Sequence, residues 1–189
     1  MKILGIIGSK RKNGNTSILA NKALEAAKLE GAEVESIYLG EHNIKGCTGC
    51  QGCEGNYKCV INDDMQKIYP KLIEADAIIL GSPTYFYNVT SDVKAFIDRC
   101  YCFEMFDKDD RSVWLGLNEV LGRRYATVIA ICEQESEDDM GYTAEAMSKP
   151  LEALGYRIVD KVKVLRLFGK GEASDDNVSL KNAENAGNS

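Results

Sequence analysis

Short apolar runs alternate with amphipathic stretches along most of this chain. Apolar or alternating runs of strand length predict strands that are buried in a sheet. The predicted strands are Ile3–Ile7, Glu33–Tyr38, Ala77–Gly81, Tyr125–Cys132 and Arg157–Leu167. Apolar residues at helical spacing predict the helices Asn15–Leu29, Asp63–Leu72, Asp92–Phe106 and Thr143–Leu154. Residues 176–186 predict a short terminal helix or a loose tail.

Strand and helix alternate five times, which predicts an α/β fold with a parallel sheet and right-handed crossovers. The sequence contains no internal repeat and no linker composition. We therefore expect one domain over residues 1–189, with a cysteine-rich loop at about 44–62.

Composition narrows the functional classes. The net charge is −6 and the pI is near 5.0, whereas nucleic acids and anionic membranes favour a basic partner, so neither is expected. No apolar run approaches the roughly 18 residues of a membrane span. Residues 1–8 predict a strand rather than a signal peptide. The seven cysteines are therefore expected in a reducing cytoplasm.

Four cysteines lie close together, spaced Cys-x2-Cys-x2-Cys-x5-Cys: Cys47, Cys50, Cys53 and Cys59. So many thiols in so little chain favour a metal centre, and the spacing resembles bacterial ferredoxin runs, although those end in a shorter step. Zinc sites more often pair two Cys-x2-Cys knuckles across a long spacer. An iron–sulfur cluster is the main prediction, and zinc or unliganded thiols remain alternatives. His42 is the single histidine, which excludes a Rieske centre because that needs two.

The loop after the first predicted strand, residues 8–17, runs directly into a helix N-terminus. Small residues, hydroxyls and free backbone amides at a positive dipole end are typical of a phosphate cradle. The candidate phosphate ligands are Ser9, Arg11, Asn15, Thr16 and Ser17. The loop carries neither a Walker A motif nor Gly-x-Gly-x2-Gly. An ordinary polar turn that caps the helix is an equally good interpretation of this loop alone.

The loop after the third strand begins Gly81-Ser-Pro-Thr-Tyr and leads into a helix that carries Lys94-x3-Asp98-Arg99. Together with Gly8-Ser-x-Arg-x2-Gly-Asn-Thr-Ser17, this resembles the flavodoxin-like NAD(P)H-dependent FMN reductases. With the cysteine motif added, the sequence is most similar to the iron–sulfur flavoproteins within that family. The specific likeness covers roughly residues 1–100.

The resemblance implies a flavodoxin-like five-stranded parallel sheet, order 2-1-3-4-5, with helices on both faces. It also implies two cofactors, FMN and a 4Fe-4S cluster held by the four cysteines. The phosphate-loop residues named above would bind the FMN phosphate. The implied contacts to the flavin ring and ribityl chain are Pro83, Thr84, Tyr85, Phe86 and Asn88. The family's third flavin-contacting loop would fall at 132–135, where this acidic sequence departs from the usual Gly/Ser-rich one.

We therefore expect an oxidoreductase that passes electrons from a one-electron donor, such as a ferredoxin, through the cluster to FMN and on to a small-molecule acceptor. Two alternatives remain: an NAD(P)H-dependent FMN or quinone reductase without a cluster, and a flavodoxin-like protein with a structural zinc loop. The resemblance further implies a homo-oligomer, dimer or tetramer. Residues 112–122, which include Trp114, predict a helical or turn segment that could form the subunit contact. Cys100, Cys102 and Cys132 are interpreted as packing residues.

Overall fold

The structure, a computed structural model, describes residues 1–188. It contains one five-stranded parallel sheet and a separate two-stranded antiparallel ribbon. The strands are β1 Lys2–Ile7, β2 Glu33–Tyr38, β3 Ala77–Pro83, β4 Glu104–Phe106, β5 Trp114–Gly116, β6 Arg124–Ile131 and β7 Tyr156–Val164. The helices are α1 Asn15–Leu29, α2 Met65–Glu74, α3 Ser91–Arg99, α4 Leu117–Leu121, α5 Glu137–Met140, α6 Thr143–Ala153 and α7 Asn177–Gly187.

The strand order in the large sheet is β2-β1-β3-β6-β7, and each neighbouring pair is parallel. Counted within that sheet alone, this is the order 2-1-3-4-5, so the predicted flavodoxin-like fold is confirmed. In this arrangement the winding reverses between β1 and β3. Ligands of doubly wound sheets bind beyond the carboxyl ends of the strands at such a reversal.

Helices cover both faces of the sheet, as predicted. Successive side chains of a strand point to opposite faces, and β1 shows this directly. Ile3 and Ile7 pack in the core under α1 and α7, whereas Leu4 and Ile6 pack in the core under α2, α3 and α6. Both faces are therefore apolar, which is why the strands appear as near-continuous hydrophobic runs.

The predicted helix over 92–106 is wrong beyond its second turn. The α-helix ends at Arg99, a 3₁₀ turn follows over Cys100–Phe103, and residues 104–106 form β4. The Tyr69 hydroxyl donates to the Arg99 carbonyl at 2.8 Å, which satisfies one acceptor at the helix end. The chain then pairs with β5 instead of continuing the helix.

The two remaining predicted segments, residues 112–122 and 176–186, have different outcomes in the structure. Residues 112–122, predicted to be a helical or turn segment, contain the strand β5 and the short helix α4. The last polar stretch is a helix, α7, capped by Asp176, whose carboxylate accepts N–H bonds from Val178 and Ser179. In the described part of the chain, no helix is long and apolar enough to cross a membrane.

Candidate functional site

The loop between β1 and α1 presents an open helix N-terminus. No side chain caps α1 at Gly14, and the first turn holds no acidic residue. The amides of this turn therefore face outward with the positive end of the helix dipole unopposed. A Cβ on Gly14 would lie 2.9 Å from the Arg11 Cβ and 3.0 Å from its carbonyl oxygen, so the tight turn requires glycine there. The arrangement suits an anion.

Two hydroxyls in this loop fix its shape. The backbone N–H of Arg11 donates to the Ser9 hydroxyl at 3.2 Å, and the Ser17 hydroxyl donates to the Arg11 carbonyl at 3.1 Å. Ser9 and Ser17 are both buried, whereas the Arg11 side chain is exposed and free to swing toward a ligand.

The side chain of Asn15 has a structural use that the sequence did not reveal. Its amide donates to the carbonyls of Leu167 and Gly169, and its oxygen accepts N–H bonds from Gly171 and Ala173. All four hydrogen-bonding positions of the side chain are thus filled. Asn15 ties the loop after β7 to α1, and its backbone amide, not its side chain, is the group left for a phosphate.

The loop after β3 is held in an unusual conformation. Phe86 and Tyr87 have positive φ angles of 50° and 67°, which bulky residues adopt rarely. Tyr85 and Asn88 exchange backbone hydrogen bonds of 2.7 and 3.2 Å, which closes the turn. Phe86 is 95% exposed and Tyr85 is 54% exposed. The turn therefore presents aromatic surface to solvent at the edge where the sheet reverses.

Both loops line one small cavity of about 100 Å³. Seven predicted cofactor residues line it: Ser9, Arg11, Asn15, Thr16, Pro83, Thr84 and Tyr85. Ser17, Phe86 and Asn88 lie outside it, and the Asn88 side chain accepts the N–H of Val89 instead.

Further residues line this cavity that the sequence analysis did not name as site residues. Leu167 and Phe168, after β7, line it and carry no motif that would have marked them. Glu133 lines it as well, so the third loop does reach this site, although Cys132 is buried in the core. Burial of Cys132 agrees with its interpretation as a packing residue.

The four motif cysteines line a second and larger cavity, of about 620 Å³. Its remaining wall comes from the ends of α3 and α6 and from the segment after α3, for example Ile97, Leu154 and Cys100. Cys47 and Cys50 are exposed, whereas Cys53 and Cys59 are half-buried. Within residues 1–188 no three potential metal ligands are gathered closely enough to hold an ion.

The electrostatics of these thiols reflect their shared loop. Burial raises the pKa of Cys53, and the neighbouring Cys59, Cys47 and Cys50 raise it further. The pKa of Cys50 is lowered, chiefly by the backbone N–H of Gly52 and also by the Thr48 side chain. Four thiols on one short loop line the same cavity, and sulfur donors of this kind suit an iron–sulfur cluster or zinc.

A buried ion pair anchors this cysteine loop, and sequence reasoning did not foresee it. Arg99 and Asp63 have side chains that are 0% and 1% exposed, and their charged groups meet at 2.6 Å. Burial disfavours the Asp63 carboxylate, but hydrogen bonds from Arg99 and from the N–H groups of Lys45 and Met65 lower its pKa overall. In the sequence, Asp63 marks only the start of the predicted helix Asp63–Leu72, and no local pattern indicates its pairing with Arg99.

Cys100 and Cys102 are buried, in agreement with their interpretation as packing residues. Cys102 nevertheless lies beside the motif. Burial raises its pKa to about 11, while the neighbouring Tyr69 side chain and the Cys59 backbone lower it.

The two cavities lie at opposite ends of the same helices. Thr90, which caps α3, donates to the Gly8 carbonyl, and Thr143 in the first turn of α6 is hydrogen-bonded to Thr84 at 3.0 Å. Both helices therefore begin at the smaller cavity, and their last turns line the larger one. At 1.5 Å per residue, the nine residues of α3 and the eleven of α6 span about 13 and 16 Å.

Comparison with known proteins gives a consistent result. Residues 1–122 match the family model described as NADPH-dependent FMN reductase. An iron-sulfur flavoprotein of Methanocaldococcus jannaschii is 46% identical over 99 residues, covering 52% of this chain and 51% of the relative. An iron-sulfur flavoprotein of Archaeoglobus fulgidus is 44% identical over 99 residues, covering 52% of this chain and 45% of that relative. The chain thus spans about half the length of the curated relatives it matches.

A solved structure shares the fold over the whole chain. An azoreductase from Bacillus anthracis superposes with a TM-score of 0.74 at 12% identity, covering 100% of this chain and 99% of that one. At this identity the likeness concerns the fold alone.

Proposed function

Because this chain belongs to the NADPH-dependent FMN reductase family, we propose that it is a flavin-dependent oxidoreductase with FMN at the smaller cavity. One observation carries the proposal: an uncapped helix N-terminus opens where two loops that resemble FMN-binding loops meet. The phosphate would bind the backbone amides of Asn15 and Thr16, the Thr16 hydroxyl and the Arg11 guanidinium. The aromatic turn at Tyr85 would flank the ring.

We further propose that Cys47, Cys50, Cys53 and Cys59 hold a 4Fe-4S cluster. The donors are sulfur alone, and they line one cavity. The bound groups would supply single-electron exchange at the cluster and conversion between one and two electrons at the flavin. The residues of this chain would hold the cysteine loop in place, orient the flavin and leave access for an acceptor.

The first experiment distinguishes the proposal from its alternatives. Protein purified without oxygen should show flavin bands over a broad absorbance and should contain iron with acid-labile sulfide. Flavin without iron or zinc would favour the plain FMN or quinone reductase. Zinc without sulfide would favour the structural zinc loop, and absence of flavin would contradict the proposal for the smaller cavity.

FMN affinity tests the phosphate site directly. Arg11→Ala and Thr16→Val should each weaken FMN binding, because a lost charge-assisted hydrogen bond costs roughly 1.5–3 kcal/mol, about one to two decades in affinity. Riboflavin, which lacks the phosphate, should be affected much less. Titration of flavin-free protein with both ligands, followed by flavin fluorescence, measures the difference.

Lys12→Ala is the matched control for that titration. Lys12 is also an exposed cation in the same loop, but it pairs with Glu41 and does not line the cavity. Its removal should leave both affinities nearly unchanged. Equal losses of FMN and riboflavin affinity in Arg11→Ala would show that the phosphate binds elsewhere.

The separation of the two cavities bears on how electrons travel. Within one chain a cluster at the larger cavity would lie at the far ends of α3 and α6 from the flavin. We propose a homo-oligomer, dimer or tetramer, in which the cluster of one subunit approaches the flavin of another. The β4–β5 ribbon is a candidate contact, since Val113, Trp114 and Leu115 are 54%, 46% and 49% exposed.

The electron donor is a further proposal. We propose a ferredoxin-like donor and a small-molecule acceptor. An acidic segment, residues 133–139, lies close to the aromatic turn that contains Tyr87. Glu133 lines the smaller cavity, and just after the segment the backbone N–H of Tyr142 donates to the Tyr87 carbonyl. Only two of the segment's charges pair with cations, Glu135 with Arg166 and Glu137 with Lys163. Residual negative charge there disfavours a dinucleotide, whose phosphates are also negative.

Stopped-flow reduction of the flavin tests the donor. A one-electron mediator or reduced ferredoxin should bleach the flavin quickly in the wild type and slowly in Cys50→Ala. NAD(P)H should act slowly in both. Fast reduction by NAD(P)H that is unaffected by Cys50→Ala would favour the plain reductase.

A further inference from the structure

Arg99 is the most completely engaged side chain near the cysteine loop. It is the last residue of α3, its side chain is 0% exposed, and all five of its N–H donors have partners. Four go to oxygen: two to the Asp63 carboxylate at 2.6 and 3.2 Å, one to the Lys45 carbonyl at 3.0 Å and one to the Ile61 carbonyl at 3.3 Å. The fifth, on Nε, points to the Cys59 Sγ at 3.2 Å.

The direction of that fifth donor is fixed by the other four. A guanidinium is planar and rigid, so a bidentate grip on Asp63 sets where Nε–H points. Asp63 is fixed in turn, because it accepts the N–H groups of Lys45 and Met65 at 2.9 and 3.0 Å. Lys45 and Ile61 flank the cysteine motif on its two sides. The positive charge of Arg99 is therefore held next to the Cys59 Sγ by hydrogen bonds that do not involve a metal.

We propose that Arg99 is a positioning and tuning residue that sets the reduction potential of the cluster through Cys59, an inference that rests on the proposed 4Fe-4S site. Hydrogen bonds to the sulfurs and nearby charge are among the factors that set the potential of such clusters. Reduction adds one electron, from the one-electron donor, and makes the cluster and its thiolates more negative. A buried cation that donates to Sγ stabilises this reduced form. Within residues 1–188, Cys59 is the one motif cysteine that accepts a hydrogen bond from a buried cation.

A redox titration of four proteins tests the inference. The midpoint potential of the cluster, followed by electron paramagnetic resonance, would be measured for the wild type, Arg99→Lys, the double variant Asp63→Asn with Arg99→Gln, and Arg111→Gln. Lysine keeps the positive charge but cannot hold Asp63 bidentately and also donate to Cys59. The double variant removes both charges together, so that neither is left buried and unpaired.

Arg111→Gln is the matched control. Arg111 is also an arginine at the cysteine loop, but it is exposed, and in the described part of the chain it donates to Glu54 at 3.0 Å and to the Tyr101 hydroxyl rather than to a thiol. Its loss removes one positive charge near the loop without removing a hydrogen bond to sulfur.

Both Arg99 variants should shift the equilibrium for cluster reduction about tenfold toward the oxidised form, which for one electron is a fall of ~59 mV. The control should shift much less. A cluster that keeps its midpoint potential in either Arg99 variant would overturn this inference and leave the proposed 4Fe-4S site intact. Loss of the cluster from both, while Arg111→Gln retains it, would also overturn it, because Arg99 would then only hold the loop. A wild type without iron and sulfide would overturn the proposed function as well.

Discussion

Cys50→Ala is expected to lose most of the bound iron and acid-labile sulfide while it keeps FMN. A cluster that loses one of four thiolate ligands is degraded, and Cys50 is an exposed member of the set with no buried packing to preserve. The flavin should remain because no residue lines both cavities. Iron, sulfide and flavin assays on anaerobically purified protein measure the three contents.

Cys100→Ala and Cys102→Ala are the controls for that loss. Both thiols are buried and stand outside the motif, so iron content should match that of the wild type. Cys102 is the stricter control because it contacts the Cys59 backbone. Iron that is lost from Cys102→Ala but retained in Cys50→Ala would contradict the assigned ligand set.

Asp63→Asn is expected to lower the free energy of unfolding by about 3–5 kcal/mol, the range found when one partner of a buried ion pair is removed. The variant leaves the Arg99 charge enclosed among the carbonyls of Lys45 and Ile61 with no carboxylate. Urea unfolding at matched FMN and iron content would measure the loss, since bound cofactors add stability of their own.

The neighbouring carboxylate provides a matched control. Asp64 pairs with Lys67 and accepts the N–H of Asn43, but both pairs are at the surface. Asp64→Asn should therefore cost about 1 kcal/mol or less. Similar losses at the two positions would show that burial of the Asp63–Arg99 pair is unimportant to stability.

The contribution of Asp63 should depend on pH in a defined direction. The native state lowers the pKa of this carboxyl group, so its stabilising contribution is present above the unfolded pKa of about 3.9 and is lost as the pH falls through the lower native value. The difference between the wild type and Asp63→Asn should therefore shrink only in acid, below about pH 4.

The sequence alone determined the sheet and the motif-bearing loops. Strands covered on both faces leave continuous apolar runs, and each crossover helix leaves a helical repeat, so the alternation predicts a parallel sheet. The strands β1 and β2 and the helix α1 were placed almost to the residue. The cysteine motif and the loops at 8–17 and 81–88 could be identified from the sequence because their proposed chemistry requires particular residue types at nearby positions.

Only the tertiary structure decided how those parts are arranged. The apolar pattern continues past Arg99, yet the α-helix ends there, where the Tyr69 hydroxyl bonds to the Arg99 carbonyl and the chain goes on to pair as β4 with β5. The four bonds of Asn15 and the five of Arg99 reach residues up to 158 positions away, which no local pattern records. The cysteine loop and the phosphate loop both follow strands at the same sheet edge. Contacts with the last turns of α3 and α6 nevertheless carry the cysteine loop to the far end of those helices, because long-range packing and burial, not sequence position, fix where a loop lies.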